Sequence, residues 1–440
     1  AVAVLATPEG AETGRRDLGG QLPVPVFLSE TPRAELARLA AAFHGRQPGV
    51  MAAVTGTNGK TSTVHFLGQI WRAAGRAAAS FGTTGVAGAE GIAPPGMTTP
   101  EPVALHAFLA RLADHGITHA AMEASSHGLA QQRLEGVRLA AAGFANISRD
   151  HLDYHASFEA YLSAKMRLFD SVLPSDGVAV TNIDDPASAH VRAIAARRGQ
   201  RLLTVGRAEG ADLRLATLAY RAEDQRIALT WAGKTREVTL PLVGAFQADN
   251  AALAAALAIA TGVAPDAAVA ALGHLAGVAG RMELAARRAN GAPVYVDYAH
   301  TPDALAHALD ALRPHLAGRL VCVFGAGGDR DRGKRAAMGA AVAARADHAI
   351  VTDDNPRTED PAAIRRAVRD GAPEAEEVAG RAEAILAAVD ALRGPGDGLV
   401  IAGKGHERGQ EIAGAVHPFD DAAIARAAVA ALDGAGAGEA

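Results

Sequence analysis

Val50-Met51-Ala52-Ala53-Val54-Thr55-Gly56-Thr57-Asn58-Gly59-Lys60-Thr61 is an apolar run that ends in a glycine-bracketed turn and then Lys-Thr. The run reads as a buried strand, and the next segment carries Val64, Leu67, Ile70, Trp71 and Ala74 at helical spacing. Strand, glycine turn and helix together make a phosphate cradle. The glycines let backbone N–H groups converge on an anion at a helix N-terminus, Lys60 adds a point charge, and the Thr61 hydroxyl can ligate Mg²⁺. The full phosphate-loop pattern asks for a glycine where Val54 stands, so the match is to a shortened variant, Gly-x-x-Gly-Lys-Thr. Gly56, Thr57, Asn58, Gly59, Lys60 and Thr61 are therefore candidates for holding nucleotide phosphates, with a purely structural turn as the alternative.

A chain of 440 residues has room for two or three domains, and 49% hydrophobic against 21% charged residues is enough for ordinary globular cores. The formal net charge of -5, with no basic tract, argues against a nucleic-acid partner. Cys322, the single cysteine, cannot form an internal disulfide and sits in the apolar run Leu320 to Phe324, which predicts a buried, inert thiol. There is no signal peptide and no apolar run of about 20 residues that could span a bilayer. A cytoplasmic, monomeric enzyme is the expectation. The first residue is Ala1 rather than Met, so an incomplete or processed product is expected.

Before the loop, Ala1 to Ala6 and Val24 to Leu28 read as two short strands, and Thr31-Pro32 opens a helix to Phe43. Residues 1–46 are too few for an independent core and are expected to be the tail of a domain. From 47 to 278 strand and helix alternate, the pattern of a mostly parallel sheet covered on both faces. Strands at Thr118 to Met122, Ala140 to Phe144 and Gly177 to Val180 follow a glycine-rich stretch that ends at Met97-Thr98-Thr99-Pro100. Helices are predicted over 101–115 and 157–170, residues 200–243 read as β-rich, and Asp249-Asn250 opens an alanine-rich helix to about Ala260. A second alternating series fills 279–440, with strands at 294–296, 320–324, 348–352 and 398–402 that deliver polar strings to their C-terminal ends, where ligands bind in open α/β sheets.

Read together, six ordered strings resemble the Mur ligase family, ATP-dependent amide-bond ligases that build the peptidoglycan stem peptide. They are Thr-Gly-Thr-Asn-Gly-Lys-Thr at 55–61, Met-Glu-Ala-Ser-Ser-His-Gly-Leu at 122–129, Ser-Arg-Asp-His-Leu-Asp-Tyr-His at 148–155, Gly-Arg-Met-Glu at 280–283, Asp-Tyr-Ala-His-Thr-Pro at 297–302 and Asp-Asn-Pro-Arg at 354–357. The likeness covers almost the whole chain and departs at the front, where family members carry more of a uridine-binding domain. It implies an α/β architecture: a truncated N-terminal uridine-binding domain at 1–46, a central phosphate-loop ATP-binding domain at 47–278, and a Rossmann-like C-terminal domain at 279–440 that takes the incoming amino acid.

The roles the resemblance implies follow from the chemistry. A carboxylate is a poor acyl donor, so such a ligase first phosphorylates it with ATP, and an amine then attacks the acyl phosphate. Phosphoryl transfer is catalysed mainly by positioning and charge neutralisation. Lys60 is implied to bridge phosphates, Thr61 and Glu123 to hold one Mg²⁺, and His151 with Lys165 to lie near a second; in the family this lysine is carbamylated. By itself Lys165 reads as a solvated helix lysine. Thr98, Thr99, Ser125, Gln131 and Arg133, with Lys165, match positions that hold a UDP-muramoyl-dipeptide; Thr99 before Pro100 could equally be a helix entry. Asn250, Arg281, Asp297 and His300 match nucleotide contacts. Their bland readings are a helix start for Asn250, a surface salt bridge for Arg281 and a turn cap for His300.

The motif set is most similar to members that add meso-2,6-diaminopimelate, with Arg330, Asp354, Asn355, Pro356, Arg357, Gly403 and Glu407 implied to hold it. Arg357 offers a planar fork to the carboxylate that lysine lacks, and Glu407 an anion to the amine. In isolation Asp-Asn-Pro is a turn followed by a solvated arginine. A hydrolytic metal triad of His151, Asp153 and His155 lacks a further ligand at convincing spacing, and a serine hydrolase built on Ser125, Ser126 and His127 lacks its nucleophile elbow. The rivals are a lysine-adding or folylpolyglutamate-synthase-like ligase, and a non-catalytic nucleotide-binding protein.

Overall fold

A computed structural model describes residues 2–93, 96–148, 150 and 154–435. It resolves into two compact units. One comprises Ala1–Ala216, Ala228–Val238 and Asp249–Leu275, the other Thr217–Ile227, Thr239–Ala248 and Ala276–Ala440.

At the front of the first unit, β1 (Val4–Ala6) pairs in parallel with β2 (Val26–Leu28). The helix expected after Thr31 runs Pro32–His44, and a further helix, Pro8–Asp17, fills the gap between the strands. The sequence reading missed that helix because its Gly10, Gly14 and charged residues bury little; Thr7 starts it by accepting from the Gly10 N–H at 3.0 Å, with Pro8 in its first turn.

The main sheet has the spatial order β12 (Lys234–Leu240), β11 (Gln225–Trp231), β10 (Leu213–Tyr220), β9 (Arg201–Gly206), β8 (Val178–Asn182), β7 (Ala141–Phe144), β3 (Val50–Thr55), β6 (His119–Glu123), β4 (Ala78–Gly82), β5 (Gly85–Ala87). From β9 to β4 all neighbours run parallel, and β5 returns antiparallel to β4. In register, Val54 of β3 faces Glu123 of β6 on one side and Gly143 of β7 on the other, so the loops after these strands leave at one edge. Alternate residues, Met51 and Ala53, Phe81, Ala120 and Met122, Ala142 and Phe144, share one buried cluster with Leu105, Phe108, Leu109 and Phe169. Phe81 and Phe108 meet edge to face at 4.9 Å, and burying each such ring contributes about 1.5–3 kcal/mol.

Two helices differ from expectation. The helix placed over 157–170 runs Phe158–Arg167 and then widens into a π-type turn, Leu168–Val172, which buries Leu168 and Phe169. The alanine-rich helix runs Ala245–Ala260, after Gly244 (φ +92°), so Asn250 lies inside it rather than at its start. Asp249 looked like a cap; instead its carboxylate pairs with Arg207 at 3.0 Å.

In the second unit the order is β13 (Glu283–Arg287), β14 (Pro293–Asp297), β18 (Gly398–Ala402), β15 (Leu320–Phe324), β16 (His348–Val351), β17 (Glu376–Glu377), all parallel except β13. A separate hairpin pairs β19 (Gly409–Ile412) with β20 (Ala415–Pro418). The inner strands β14, β18, β15 and β16 are largely apolar because both faces are covered: Tyr295, Cys322, Phe324 and Val400 join one core, while Val294, Val321, Val323, Ile350 and Ile401 join the other. Cys322 is fully buried as expected, and burial pushes its thiol up to about 12.

Candidate active site

The glycine turn after β3 leads directly into the helix Lys60–Ala73, whose N-cap is Gly59 with φ +83°. No side chain caps that helix and no acidic residue stands in its first turn, so its leading N–H groups and positive dipole end suit an anion. Asn146, at the end of β7, holds the loop: its carbonyl accepts from Thr57 N–H at 3.0 Å and its Oδ1 from Asn58 N–H at 2.9 Å. The Thr57 hydroxyl donates to the Ser148 carbonyl at 3.2 Å and lies 3.0 Å from the Tyr161 hydroxyl. Lys60 Nζ folds back to the carbonyls of Gly56 and Thr57 at 2.9 and 2.8 Å. Asn250 stands against the loop so closely that a Cβ on Gly59 would come within 2.2 Å of its Oδ1. Thr61 is buried in the first turn.

Beside the loop, the carboxylate of Glu123 is buried at the end of β6 and accepts from the Thr83 N–H at 2.7 Å and the Thr83 hydroxyl at 3.1 Å. The Thr83 hydroxyl also meets that of Thr98 at 3.0 Å. Thr99 donates to the Glu123 carbonyl and accepts from Ser125 N–H, both at 2.9 Å. Ser125 caps the short helix Ser126–Ala130 by accepting from Gly128 N–H at 3.1 Å. Arg133 donates to the Thr99 carbonyl at 2.7 Å and to Gln131 Oε1, and pairs with Glu101 at 2.6 Å; Gln131 reaches the Tyr154 hydroxyl at 3.0 Å. Thr98, Thr99, Ser125, Gln131 and Arg133 are thus brought together around Glu123.

Lys165 is far from the solvated lysine its sequence context suggested. It is 1% exposed, donates to the Gly56 carbonyl at 2.7 Å and lies 4.4 Å over the Tyr161 ring. Burial first, and then the neighbouring charge of Lys60, hold its amine well below the ordinary lysine range, against a smaller pull from Asp150. His151 and Asp153 lie outside the described residues, so the hydrolytic triad and the place of His151 beside Lys165 are not part of this geometry.

Three candidates gather in the second unit. The Arg281 guanidinium lies 4.6 Å over the Tyr298 ring, a cation on an aromatic shelf that also contacts the His300 ring at 4.7 Å. Asp297 ends β14 by accepting from Met282 N–H at 2.7 Å and Ala299 N–H at 2.9 Å; burial pushes its carboxyl up against the pull of Arg281 and these two donors. His300 Nδ1 bonds to the Tyr298 carbonyl at 2.8 Å, which assigns the proton to that nitrogen.

The loops after β15, β16 and β18 meet in the same unit. Gly328 N–H donates to the Asn355 carbonyl at 2.9 Å, and a Cβ on Gly328 would fall 1.9 Å from the Pro356 carbonyl, so only glycine permits this approach. Arg357 holds φ +53°, a conformation costly for a residue with a Cβ. Its Nε pairs with Glu411 at 3.1 Å and its Nη1 donates to the Gly328 carbonyl at 2.6 Å. Asn355 Nδ2 donates to Glu407 Oε2 at 3.0 Å. Asp354 is buried, and burial pushes its carboxyl up while Arg381 and Lys404 pull it down. Gly403 (φ +117°) follows β18, and Arg330 is exposed on the loop after β15, where a Cβ on Gly327 would lie 3.0 Å from Arg357 Nη1 and 3.9 Å from Arg330 Cγ.

Several contributors escaped the sequence reading. Tyr161 had a signal, since it precedes Lys165 by one helical turn. Asn146 had another, at a strand end on the ligand edge. Thr83 and Glu411 sit in a glycine-rich loop and a surface hairpin, where no local pattern marks them.

Among the described residues no group of three His, Cys, Asp or Glu side chains is placed to hold a metal ion. That does not disqualify Mg²⁺, which keeps several waters and takes one or two protein ligands beside substrate phosphates. The buried Thr61 hydroxyl at an uncapped helix start, with a buried carboxylate on the adjoining strand, is a donor set of that kind. No helix among the described residues is long and apolar enough to cross a membrane.

The chain is similar to known proteins over nearly its whole length. The Mur ligase middle domain matches residues 54–258, and the Mur ligase, glutamate ligase domain matches 280–405. UDP-N-acetylmuramoyl-L-alanyl-D-glutamate--2,6-diaminopimelate ligase of Chelativorans sp. (strain BNC1) is 51% identical over 421 residues, covering 96% of this chain and 85% of that protein. Its counterpart in Caulobacter vibrioides is 51% identical over 439 residues, 98% of this chain and 88% of that one. A solved structure of a ligase with the same name superposes with a TM-score of 0.71 at 34% identity, over 98% of this chain and 92% of the other. Folylpolyglutamate synthase from Mycobacterium tuberculosis, complexed with ADP, shares the fold with a TM-score of 0.69 at 20% identity, over 84% and 91% of the two chains. With half its residues identical to these relatives over nearly its whole length, the chain belongs to the Mur ligase family.

Proposed function

We propose that the chain joins meso-2,6-diaminopimelate to UDP-N-acetylmuramoyl-L-alanyl-D-glutamate, with ATP cleaved to ADP and phosphate through an acyl phosphate. The chain is an ADP-forming acid–amino-acid ligase of peptidoglycan synthesis. The observation that carries the mechanism is the uncapped helix start at Gly59-Lys60-Thr61 beside the buried Glu123 carboxylate. The backbone N–H groups and Lys60 take the phosphates, and Lys60 exchanges its two loop carbonyls for phosphate oxygens as they arrive. Asn250 braces the turn from the side. When bound, Mg²⁺, held by Thr61 and Glu123 and by His151 and Lys165, supplies charge neutralisation at the transferring phosphoryl group.

Lys165 suits its place in that set only as an anion. A neutral amine adds carbon dioxide and releases a proton to give a carbamate, and burial shifts this amine towards its neutral form. The cluster of Thr98, Thr99, Ser125, Gln131 and Arg133 orients the UDP-linked acceptor, Arg133 being suited to one of its anionic groups. Arg281, Asp297 and His300 are the nucleotide-contacting candidates of this reading. Asp354, Asn355, Pro356, Arg357, Gly403 and Glu407, with Arg330, receive the amino acid, Arg357 taking the carboxylate that lysine lacks. Phosphate release with the UDP-linked acceptor, ATP and Mg²⁺, in the presence of diaminopimelate or lysine, tests the reading. Release should depend on diaminopimelate; equal or greater release with lysine would overturn the substrate assignment.

A further inference from the structure

Lys404 stands just past β18, between Gly403 and Glu407. Its side chain is completely buried. Its Nζ donates to Asn355 Oδ1 at 2.9 Å and Glu407 Oε2 at 3.3 Å, and stands 3.7 Å from Asp354 Oδ1, an oxygen with no hydrogen-bond donor of its own. A buried ammonium is costly unless paired, and here every partner is a residue assigned to the incoming amino acid.

The other buried cation nearby is already matched. Arg381, the first residue of the helix Arg381–Asp390, makes two parallel bonds to Asp421 at 2.7 and 2.6 Å, with both side chains 0% exposed. Two carboxylates, Asp354 and Glu407, therefore converge on the one ammonium of Lys404. Even with Arg381 and Asp421 counted in, three carboxylates face two cations, an excess of negative charge that complements a substrate ammonium. Asn355 extends the linkage: its Oδ1 also accepts from Glu411 N–H at 3.0 Å, and Glu411 holds Arg357.

We propose that Lys404 is a positioning residue for the incoming amino acid: its buried ammonium ties Asp354, Asn355 and Glu407 into one acceptor group and limits its negative excess to what a single substrate ammonium neutralises. This rests on the diaminopimelate reading above.

The test is steady-state kinetics on the full chain with Lys404→Met, Glu407→Gln, the double variant and Arg357→Ala, each checked for a cooperative melt. Lys404→Met should raise the KM for diaminopimelate about tenfold or more while the KM values for ATP and the UDP-linked acceptor stay within about twofold. Because both act through one group, the double variant should be no more than about twofold worse than the poorer single variant. A uniform fall in kcat with the diaminopimelate KM unchanged, or fully multiplicative effects, overturns the proposal. If Lys404→Met does not fold, Lys404→Gln, which keeps donor N–H groups and lacks the charge, carries the same expectation; failure of both to fold makes Lys404 a stability residue and also overturns it. The underlying reading fails separately: Arg357→Ala would then leave the diaminopimelate KM untouched, whereas an effect of Arg357→Ala without one of Lys404→Met sinks only the role of Lys404.

Discussion

Replacing Arg357 by alanine should erase most of the preference for diaminopimelate over lysine. The guanidinium is held on two sides, by Glu411 on Nε and the Gly328 carbonyl on Nη1, and its side chain is 21% exposed. A charged pair in a desolvated site that loses one partner costs about 2–5 kcal/mol. Partial exposure and the screening of Arg357 by Glu411 argue for the lower half of that range, about 2–3 kcal/mol. At about 1.4 kcal/mol per factor of ten, roughly 30- to 150-fold of discrimination disappears. Glu411 is 42% exposed, so its carboxylate rehydrates and adds little penalty of its own. Arg357→Gly provides an internal control. Glycine accepts φ +53° without the Cβ penalty, so this variant should be about 1 kcal/mol more stable than Arg357→Ala while losing the same discrimination. The assay is amino-acid-dependent phosphate release over a range of each amino acid, with thermal melts alongside. A variant that keeps its preference for diaminopimelate refutes the reasoning, as does alanine matching glycine in stability.

Lys60→Ala should abolish turnover and leave the melt near that of the parent, because the Lys60 ammonium bonds to carbonyls of the loop itself and repels the buried Lys165; near-normal phosphate release would remove the phosphate-loop assignment. Gly59→Ala should lose nucleotide affinity by calorimetry and also stability, since its Cβ meets Asn250 at a φ of +83°; unchanged titrations would show that the loop yields. Lys165→Met should raise the melting temperature at pH 7 in carbon-dioxide-free buffer. The folded state depresses the Lys165 pKa, so protonation favours the unfolded chain, and the gain should shrink as pH rises towards about 10.5, the unfolded value; a pH-independent difference contradicts this. Glu359 is held down to about 2, chiefly by Arg335 and the Asp329 N–H, so Glu359→Gln should lower the melting temperature at neutral pH, and the difference should fade as pH drops from about 5 to about 2.

What could be read without the fold was whatever is encoded locally. The apolar run at 50–55 followed by Gly-x-x-Gly-Lys-Thr forces strand, turn and helix within a few residues, and the structure forms them there. The parallel sheets were legible because strands buried on both faces must be apolar throughout, and the polar strings between them had to fall at strand ends. Local signals misled where a residue serves a distant partner. Asp249-Asn250 resembled a helix start, yet Asp249 is spent on Arg207 and Asn250 on the loop at Gly59. Tertiary structure alone decided the electrostatics. Whether Lys165 is solvated or buried, with its pKa pushed down, depends on how many atoms from several strands and helices exclude water from it, a sum that no spacing reports. Lys404 and Asn355 come from two separate loops and Glu411 from strand β19, and their shared hydrogen bonds exist only because β16 and β18 flank β15 and the β19–β20 hairpin folds back to the Asp-Asn-Pro-Arg turn.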